Sequence, residues 1–348
     1  MPWLIGTDEA GYGPNLGPLV VTATLWHVPD APQCDDLYER LKRVVANSPG
    51  AIRAPKRRAA IVAHAAVCDT SSAAAPIDDT SYPRVSIADS KLLYHSGKGL
   101  AELECGVLAA LEAAGKPIAS WRDAWQTLDA TCVDDLAAAP WHDGFDCALP
   151  CHAEADRASW LAAALREGME TAGVSLTDVR SRVIFPRRFN ELVDRHGNKA
   201  ELLSRLTLEL VRELLSQVPA SPALVCCDKH GGRNSYHRLL QESFSDSLVE
   251  VHGESRAKSV YRMGLAQSRV EVQFHVGAEQ FLSVALASMV SKYLRELAMQ
   301  AFNEFWRRHV PDLRPTAGYP TDARRFKQAI EPMCKQLGID DRLLWRCR

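Results

Sequence analysis

The chain has no apolar run approaching the roughly 18 residues of a membrane span, no Cys-x-x-Cys pair and no internal repeat. It also has no strong charge of one sign: 41 Lys and Arg stand against 43 Asp and Glu, a net charge of −2. A transmembrane helix and indiscriminate binding to nucleic acid are therefore not expected. The opening residues lack a basic segment and run at once into the acidic pair Asp8-Glu9, unlike a secretory signal, so a cytoplasmic location is expected. With 47% hydrophobic and 24% charged residues, the composition excludes collagen-like or disordered material. A chain of 348 residues buries an adequate core without disulfide or metal staples.

Ten cysteines are scattered along the chain, Cys226 and Cys227 side by side, and are expected to be reduced and buried. Cys147, Cys151 and His152, with His142 nearby, could supply zinc ligands, but their spacing matches no common structural zinc pattern.

The near-neutral total conceals an asymmetry. Residues 181–348 carry 26 Lys and Arg against 19 Asp and Glu, whereas residues 1–180 carry 15 against 24. A basic second half permits a localised phosphate-binding face, with the runs 53–58, 180–188 and 324–327 as candidates. Taken singly, each run is more often just a solvated face.

Apolar runs at 2–8 and 19–26, joined by the Gly/Pro-rich segment 11–18, predict an antiparallel hairpin. Helical texture follows at 35–46 and 59–67, then a Ser/Ala/Pro/Asp-rich loop over 70–83. A strand-like entry at 85–93 precedes a helix over 99–115. Residues 117–180 are the least legible, and Trp121, Trp125, Trp141 and Trp160 there are read as packing residues. Leu202, Leu203, Leu206, Leu210 and Leu214 stripe an amphipathic helix over 198–217. Apolar runs at 223–227, 249–251, 259–262 and 270–275 read as strands, and 279–307 as a long helix or helix pair. The alternation is that of an α/β fold.

Asp8 and Asp228 each close an apolar strand, and Glu296 lies on a helix with a buried side. A carboxylate adjoining a core must be paired, protonated or metal-bound. Several converging on one point repel unless cations stand between them. Two Mg²⁺ or Mn²⁺ ions about 3.5–4 Å apart meet that need and create a phosphodiester-cleaving site. Taken singly, each could be a cap, a turn or a salt-bridge residue.

The motifs converge on one family. Gly6-Thr7-Asp8-Glu9-Ala10-Gly11-Tyr12-Gly13-Pro14, followed by Gly17-Pro18-Leu19-Val20-Val21, resembles the opening of type 2 ribonucleases H, specifically ribonuclease HII. In order along the chain, Ala88-Asp89-Ser90-Lys91-Leu92 is similar to its Asp-Ser-Lys-Lys-Leu segment, and Val225-Cys226-Cys227-Asp228 to the strand bearing its third carboxylate. The segment from Ser288 through Lys292 and Arg295 to Glu296 is similar to its Ser-x-x-x-Lys-x-x-Arg-Asp helix, and Gly318-Tyr319-Pro320-Thr321 to a following Gly-Tyr-Pro-Thr element. The matching segments cover about half of the chain.

The resemblance implies a single elaborated ribonuclease H-like domain over 1–348: a mixed β-sheet flanked by helices, with a core of about 1–27, 85–116 and 181–335. Insertions of about 28–84 and 117–180 would form a cap or side lobe. It implies a monomer that hydrolyses the RNA strand of RNA–DNA hybrids, leaving 3′-hydroxyl and 5′-phosphate ends. Asp8, Glu9, Asp228 and Glu296 would be the catalytic carboxylates holding two Mg²⁺ or Mn²⁺ ions. Gly11, Tyr12 and Gly13 would bring the backbone against the nucleic acid, where glycine permits close approach. Lys91 and Lys292 would face phosphates, and Tyr319 would pack on a sugar at the RNA–DNA junction. Alternatively, Gly11 and Gly13 could merely build a turn, Lys292 could pair with Glu296 four residues on, and Tyr319 could be core.

The chain departs from the family pattern at four places: Tyr12 for an arginine, Leu92 for the second lysine, Lys229 for a glycine after Asp228, and Glu296 for an aspartate. These differences bear on substrate choice, above all on cleavage at a single embedded ribonucleotide. They leave open a ribonuclease H-fold nuclease acting on another nucleic acid, or a non-catalytic binder of hybrids or RNA. The segment 253–262 has no counterpart in the family pattern. Alternation there could align Arg256, Lys258 and Arg262 on one sheet face to meet a phosphate backbone, or form an exposed hairpin rim.

Overall fold

Alternating apolar residues set the first hairpin: strand β1 (Trp3–Ala10) pairs antiparallel with β2 (Leu19–His27), Trp3 opposite His27 and Ala10 opposite Val20. The structure, a computed structural model, describes residues 2–30, 33, 36–50, 83–94 and 99–347. The other strands are β3 (Val45–Ala46), β4 (Val85–Ser86), β5 (Ser175–Ile184), β6 (Ala223–Asp228), β7 (Glu250–Glu254), β8 (Lys258–Met263) and β9 (Val270–His275). Seven of them form a mixed sheet in the order β5-β2-β1-β6-β9-β8-β7, and β3 pairs with β4 alone. Within the sheet β6 runs parallel to both β1 and β9, and the remaining pairings are antiparallel. The α/β architecture is the expected one, a mixed sheet flanked by helices.

The parallel register decides where the chemistry sits. Thr7 lies opposite Cys227, so Asp8 and Asp228 emerge at the same edge of the sheet. Side chains alternate between the two faces. Leu4, Val20, Trp26, Leu224 and Cys226 face the helix Leu282–His309, while Ile5, Val21, Leu25, Val225 and Phe274 face the helix Lys199–Ser216. A third cluster built on Leu16, Trp141, Phe302, Trp306 and Phe326 seats the helix Pro320–Leu337 on the far end of Leu282–His309.

The approach of Leu282–His309 to the sheet is closest at Gly6. A Cβ there would lie 2.2 Å from the backbone carbon of Ser283, so only glycine lets the helix come so near. Hydroxyls fasten the contact: Thr24 Oγ1 donates to the Ser283 carbonyl at 2.9 Å, and Ser291 Oγ lies 3.2 Å from the Asp8 carbonyl and 2.8 Å from Thr22 Oγ1.

Several expectations are corrected. The strand-like entry at 85–93 is a strand only over Val85–Ser86. Asp89 then caps a short helix, Ser90–Leu93, accepting the Lys91 amide at 2.9 Å. The helix expected over 35–46 is limited to Asp36–Arg40. Residues 117–180 are packed into the main core rather than set aside as a lobe, and β5 crosses position 180 to extend the sheet beside β2. Trp121 and Trp125 are buried, and Trp121 Nε1 donates to the Leu297 carbonyl at 2.9 Å. The fully buried Glu104 accepts the amides of Cys151, His152 and Ala153 at 2.6–2.9 Å and the Tyr293 hydroxyl at 2.9 Å.

Among the described cysteines Cys226 is disulfide-bonded, against the expectation of reduced thiols throughout. Most of the stretch 28–84, including the helix expected at 59–67 and the basic run 53–58, lies outside the described residues. No helix among the described residues is long and apolar enough to cross a membrane.

Gly6→Ala is expected to lower the unfolding free energy by about 2–3 kcal/mol, because backbone rather than a flexible side chain meets the new methyl. Gly253→Ala, which meets nothing within 4 Å, should stay within about 0.5 kcal/mol of the parent. Guanidinium unfolding of the two variants measures the difference.

Candidate active site

Four carboxylates gather at the edge where β1 and β6 end. Asp8, 7% exposed, has the Ser288 hydroxyl bonded to its carboxylate and feels the charges of Glu9, Glu279 and Asp228. Glu9 feels Asp228 and Glu279 in turn. Asp228 accepts the Ala278 amide at 3.0 Å, which anchors the turn after β9 and swings Glu279 toward the cluster. Ser90 Oγ lies 3.1 Å from Ser288 Oγ, so the Asp89-Ser90-Lys91 turn is docked on the same helix. Lys91 Nζ then reaches Glu279 at 3.0 Å.

The crowding shows in the proton affinities. Burial, then the charge of Glu9, raises the Asp8 carboxyl well above its usual range. Burial, then Asp228 and Glu279, pushes Glu9 up to about 7. Burial also raises Asp228, partly offset by the amide it accepts. Lys91 is held above its ordinary value: burial opposes the shift, but the bond to Glu279 outweighs it.

Glu296 is not in this group. It lies eight residues beyond Ser288, about 12 Å along the helix axis, and pairs with Lys292 at 2.5 Å. The Lys292 ammonium also lies over the Tyr94 ring, 4.7 Å from its centroid, and Tyr94 is pushed up to about 12 by burial and by Glu296. Spacing of four residues, read as two functional groups on one face, serves here as an ion pair. Glu279 takes the place assigned to Glu296. It sits in the single-turn segment Ala278–Gln280 between a strand and a helix, where no apolar run marked it.

The glycine loop borders the cluster. Gly11 has φ +88°, and a Cβ there would meet the Pro18 carbonyl at 2.4 Å, so the position requires glycine. The Tyr12 ring lies under Lys199 Nζ, 4.5 Å away, and its hydroxyl is raised by burial and by Glu9. Gly318, also at positive φ, accepts the Asn15 amide at 2.8 Å, joining the loop to the turn that carries Tyr319. Tyr319 is 56% exposed at the rim rather than in the core, its ring beside Gly13.

The other candidates fall away. Arg180 and Arg182 pair with Asp178 and Glu213, Arg187 and Arg188 with Glu191, and Arg325 and Lys327 with Asp322 and Asp341. Two of the basic runs are thus largely self-neutralised. On the edge hairpin, Lys258 and Arg262 share a face, but Arg262 is paired with Glu271 at 2.6 Å, and Arg256 lies in the exposed turn. Cys147 and Cys151 bring their sulfurs within 3.2 Å, while His142 Nδ1 is engaged with the Leu136 carbonyl.

Asp8, Glu9, Asp228 and Glu279 are the residues that could hold a metal. The set is oxygen-only, buried at Asp8 and half-buried at the other three, and short of positive charge, which suits a hard divalent cation. Among the described residues, no three His, Cys, Asp or Glu side chains are already drawn together closely enough to hold an ion.

The raised carboxyls have a thermodynamic consequence. Glu9 binds its proton more tightly folded than unfolded, so its contribution to stability is complete below about pH 4.5 and is lost as pH rises through about 7. Glu9→Gln in the presence of a chelator should therefore stabilise the chain at pH 8 by about 1–3 kcal/mol, with little gain at pH 4.5. Denaturant unfolding at the two pH values checks the sign, and a larger gain at pH 4.5 would refute it.

No protein-family model and no curated protein matches the sequence. Solved structures do, each with low identity. The ribonuclease HII of Archaeoglobus fulgidus, from its complex with PCNA, is 14% identical over 99% of this chain and 94% of that one, with a TM-score of 0.41. The ribonuclease H2 of Pyrococcus horikoshii is 14% identical over 98% and 92%, with a TM-score of 0.40. Bst ribonuclease HIII, in complex with Mn²⁺, is 14% identical over 99% of this chain and 65% of that one, with a TM-score of 0.38. The solved structures this chain is similar to are thus ribonucleases HII and HIII.

Proposed function

We propose that the chain is a divalent-metal-dependent endonuclease that hydrolyses the RNA strand of RNA–DNA hybrids, leaving 3′-hydroxyl and 5′-phosphate ends. The observation that supports this reading is the joint placement of Asp8, Glu9, Asp228 and Glu279. They come from three separate stretches of sequence, the charges of Glu9, Asp228 and Glu279 raise the proton affinity of others in the set, and Lys91 pairs with Glu279 at its border. Such a cluster costs stability when empty, and a function that requires bound cations accounts for it.

Asp8, Glu9, Asp228 and Glu279 would hold two Mg²⁺ or Mn²⁺ ions. Bound there, the metals supply activation of a water molecule and charge stabilisation of the leaving oxygen. The chain's own groups do the rest. The Ser288 hydroxyl bonds the Asp8 carboxylate and favours its charged form. Lys91, largely exposed beside Glu279, is free to turn toward a phosphate. The loop 11–18 offers main chain at close range, and the 2′-hydroxyl met there separates RNA from DNA. Tyr319, exposed at the rim next to Gly13, presents a ring face to a sugar. Lys292 meets a phosphate only by leaving Glu296 and Tyr94, so it serves the substrate less directly than Lys91.

Cleavage of labelled hybrid, single-ribonucleotide duplex, double-stranded RNA and DNA, in Mg²⁺ and in Mn²⁺, tests the proposal. Hybrid should be cut, and Asp8→Asn and Glu279→Gln should each reduce the rate by roughly a thousandfold or more. Glu279→Gln should also weaken Mn²⁺ binding by calorimetry, whereas Glu296→Gln should leave both readouts within about threefold. Cutting confined to another substrate would reassign the activity. Binding without cleavage in either metal would refute catalysis, and the reverse ranking of the two glutamates would refute the ligand set.

A further inference from the structure

Two arginines are buried behind the glycine loop, and both direct their hydrogen bonds at backbone carbonyls rather than carboxylates. Arg295, 3% exposed, donates to Pro18 at 3.0 Å, Leu16 at 3.2 Å and Ala317 at 2.8 Å. Arg346, 1% exposed, donates from Nη2 to Gly11 at 2.5 Å and to Pro14. Its guanidinium is stacked over Phe189, 4.7 Å from the ring centroid.

The segment around Arg346 is laid along the loop. Trp345 bridges antiparallel to Leu16, and the Arg346 amide donates to the Asn15 carbonyl at 2.8 Å. Asn15 Nδ2 donates back to the Arg346 carbonyl at 3.2 Å. Asn190 holds the outer side, donating to the Trp345 carbonyl at 2.8 Å and accepting the Cys347 amide at 2.7 Å.

Desolvating two neighbouring guanidiniums is costly, and burial holds both below their ordinary proton affinity. Apolar side chains of similar volume would serve plain packing at less cost. What the planar guanidinium adds is direction: Arg295 sets Nη1 and Nη2 against three carbonyls, and Arg346 sets Nη2 against two while its Nε and Nη1 stay buried without partners, in a segment that has no ladder of its own. Four of the five carbonyls these two residues bind belong to residues 11–18.

We propose that Arg346 is a positioning residue for substrate. By drawing the Gly11 and Pro14 carbonyls inward, it fixes the loop that, with Tyr319, borders the four carboxylates, and so sets how a nucleic-acid backbone is seated against them. The proposal rests on the nuclease reading for its kinetic consequence, but its structural consequence is measurable without any substrate.

The test is amide hydrogen exchange on the full chain, together with steady-state cleavage of hybrid, for Arg346→Met, Arg346→Lys and Asn190→Ala. Arg346→Met should speed exchange over residues 11–18 by about tenfold or more, while β1, β6 and the helix Lys199–Ser216 stay within about twofold. Asn190→Ala, which loosens the segment from outside, should act in the same direction but less, and it serves if the methionine variant does not fold. Arg346→Lys should fall between, since an ammonium keeps the charge without the fork. On hybrid, KM should rise by about tenfold with kcat within about threefold. Unchanged exchange over 11–18 in the folded variants would overturn the proposal. So would a uniform rise throughout the chain, or a loss carried by kcat alone. A parent chain that cuts no hybrid would refute the hybrid as substrate, while the exchange result still decides what Arg346 does.

Discussion

The seating of the helix Leu282–His309 on the first hairpin is the contact on which the rest depends. Gly6 removes the side chain that would hold the helix off, and the hydroxyls of Thr22, Thr24 and Ser291 bond across the seam, Thr24 to the Ser283 carbonyl. From that fixed seam the helix presents Ser288 to Asp8, places Glu279 just ahead of its first turn, and delivers Arg295 under the glycine loop. A shift of the helix by one residue would turn Ser288 and Arg295 by about 100° around its axis.

The electrostatics follow from this geometry. Parallel pairing of β1 with β6 places two aspartates at one edge of the sheet, and the turn after β9 adds a glutamate. The result is a concentration of negative charge with one lysine beside it. On the other side of the loop stand two buried guanidiniums bound to neutral carbonyls. Negative side chains in front and positive ones behind give the loop a field across its width. That arrangement suits the proposed site, which would hold cations and an anionic backbone at the same time.

Much of the fold was legible because its signals are local. The hairpin, the helix Lys199–Ser216 with its leucine stripe, and the strands ending in Asp8 and Asp228 all follow from periodicity and from charge placed where an apolar run stops. Strand β5 was missed, since alternation in Ser175–Ile184 is broken by six charged or hydroxyl side chains, several of which find partners only in the folded chain, among them Asp178 with Arg180 and Ser181 with Thr22. Glu296 was read into the site and Glu279 was not considered, because a Lys-x-x-Arg-acid pattern on a helix is visible in a sequence, while a lone glutamate in a short turn is not. Arg346 carried no signal at all: its role depends on a contact between residues more than 330 positions apart.

By itself, then, the sequence determined the alternation of strands and helices, the order of the motifs, and the positions where acidic side chains leave the core, since each of these depends on neighbours within a few residues. Tertiary structure alone decided which acids stand together, which lysine pairs with them and which is tied within its own helix, and which arginines bind the loop. Those outcomes depend on distances between remote segments. Charge interactions change steeply over a few ångströms, and no periodicity in the chain encodes them.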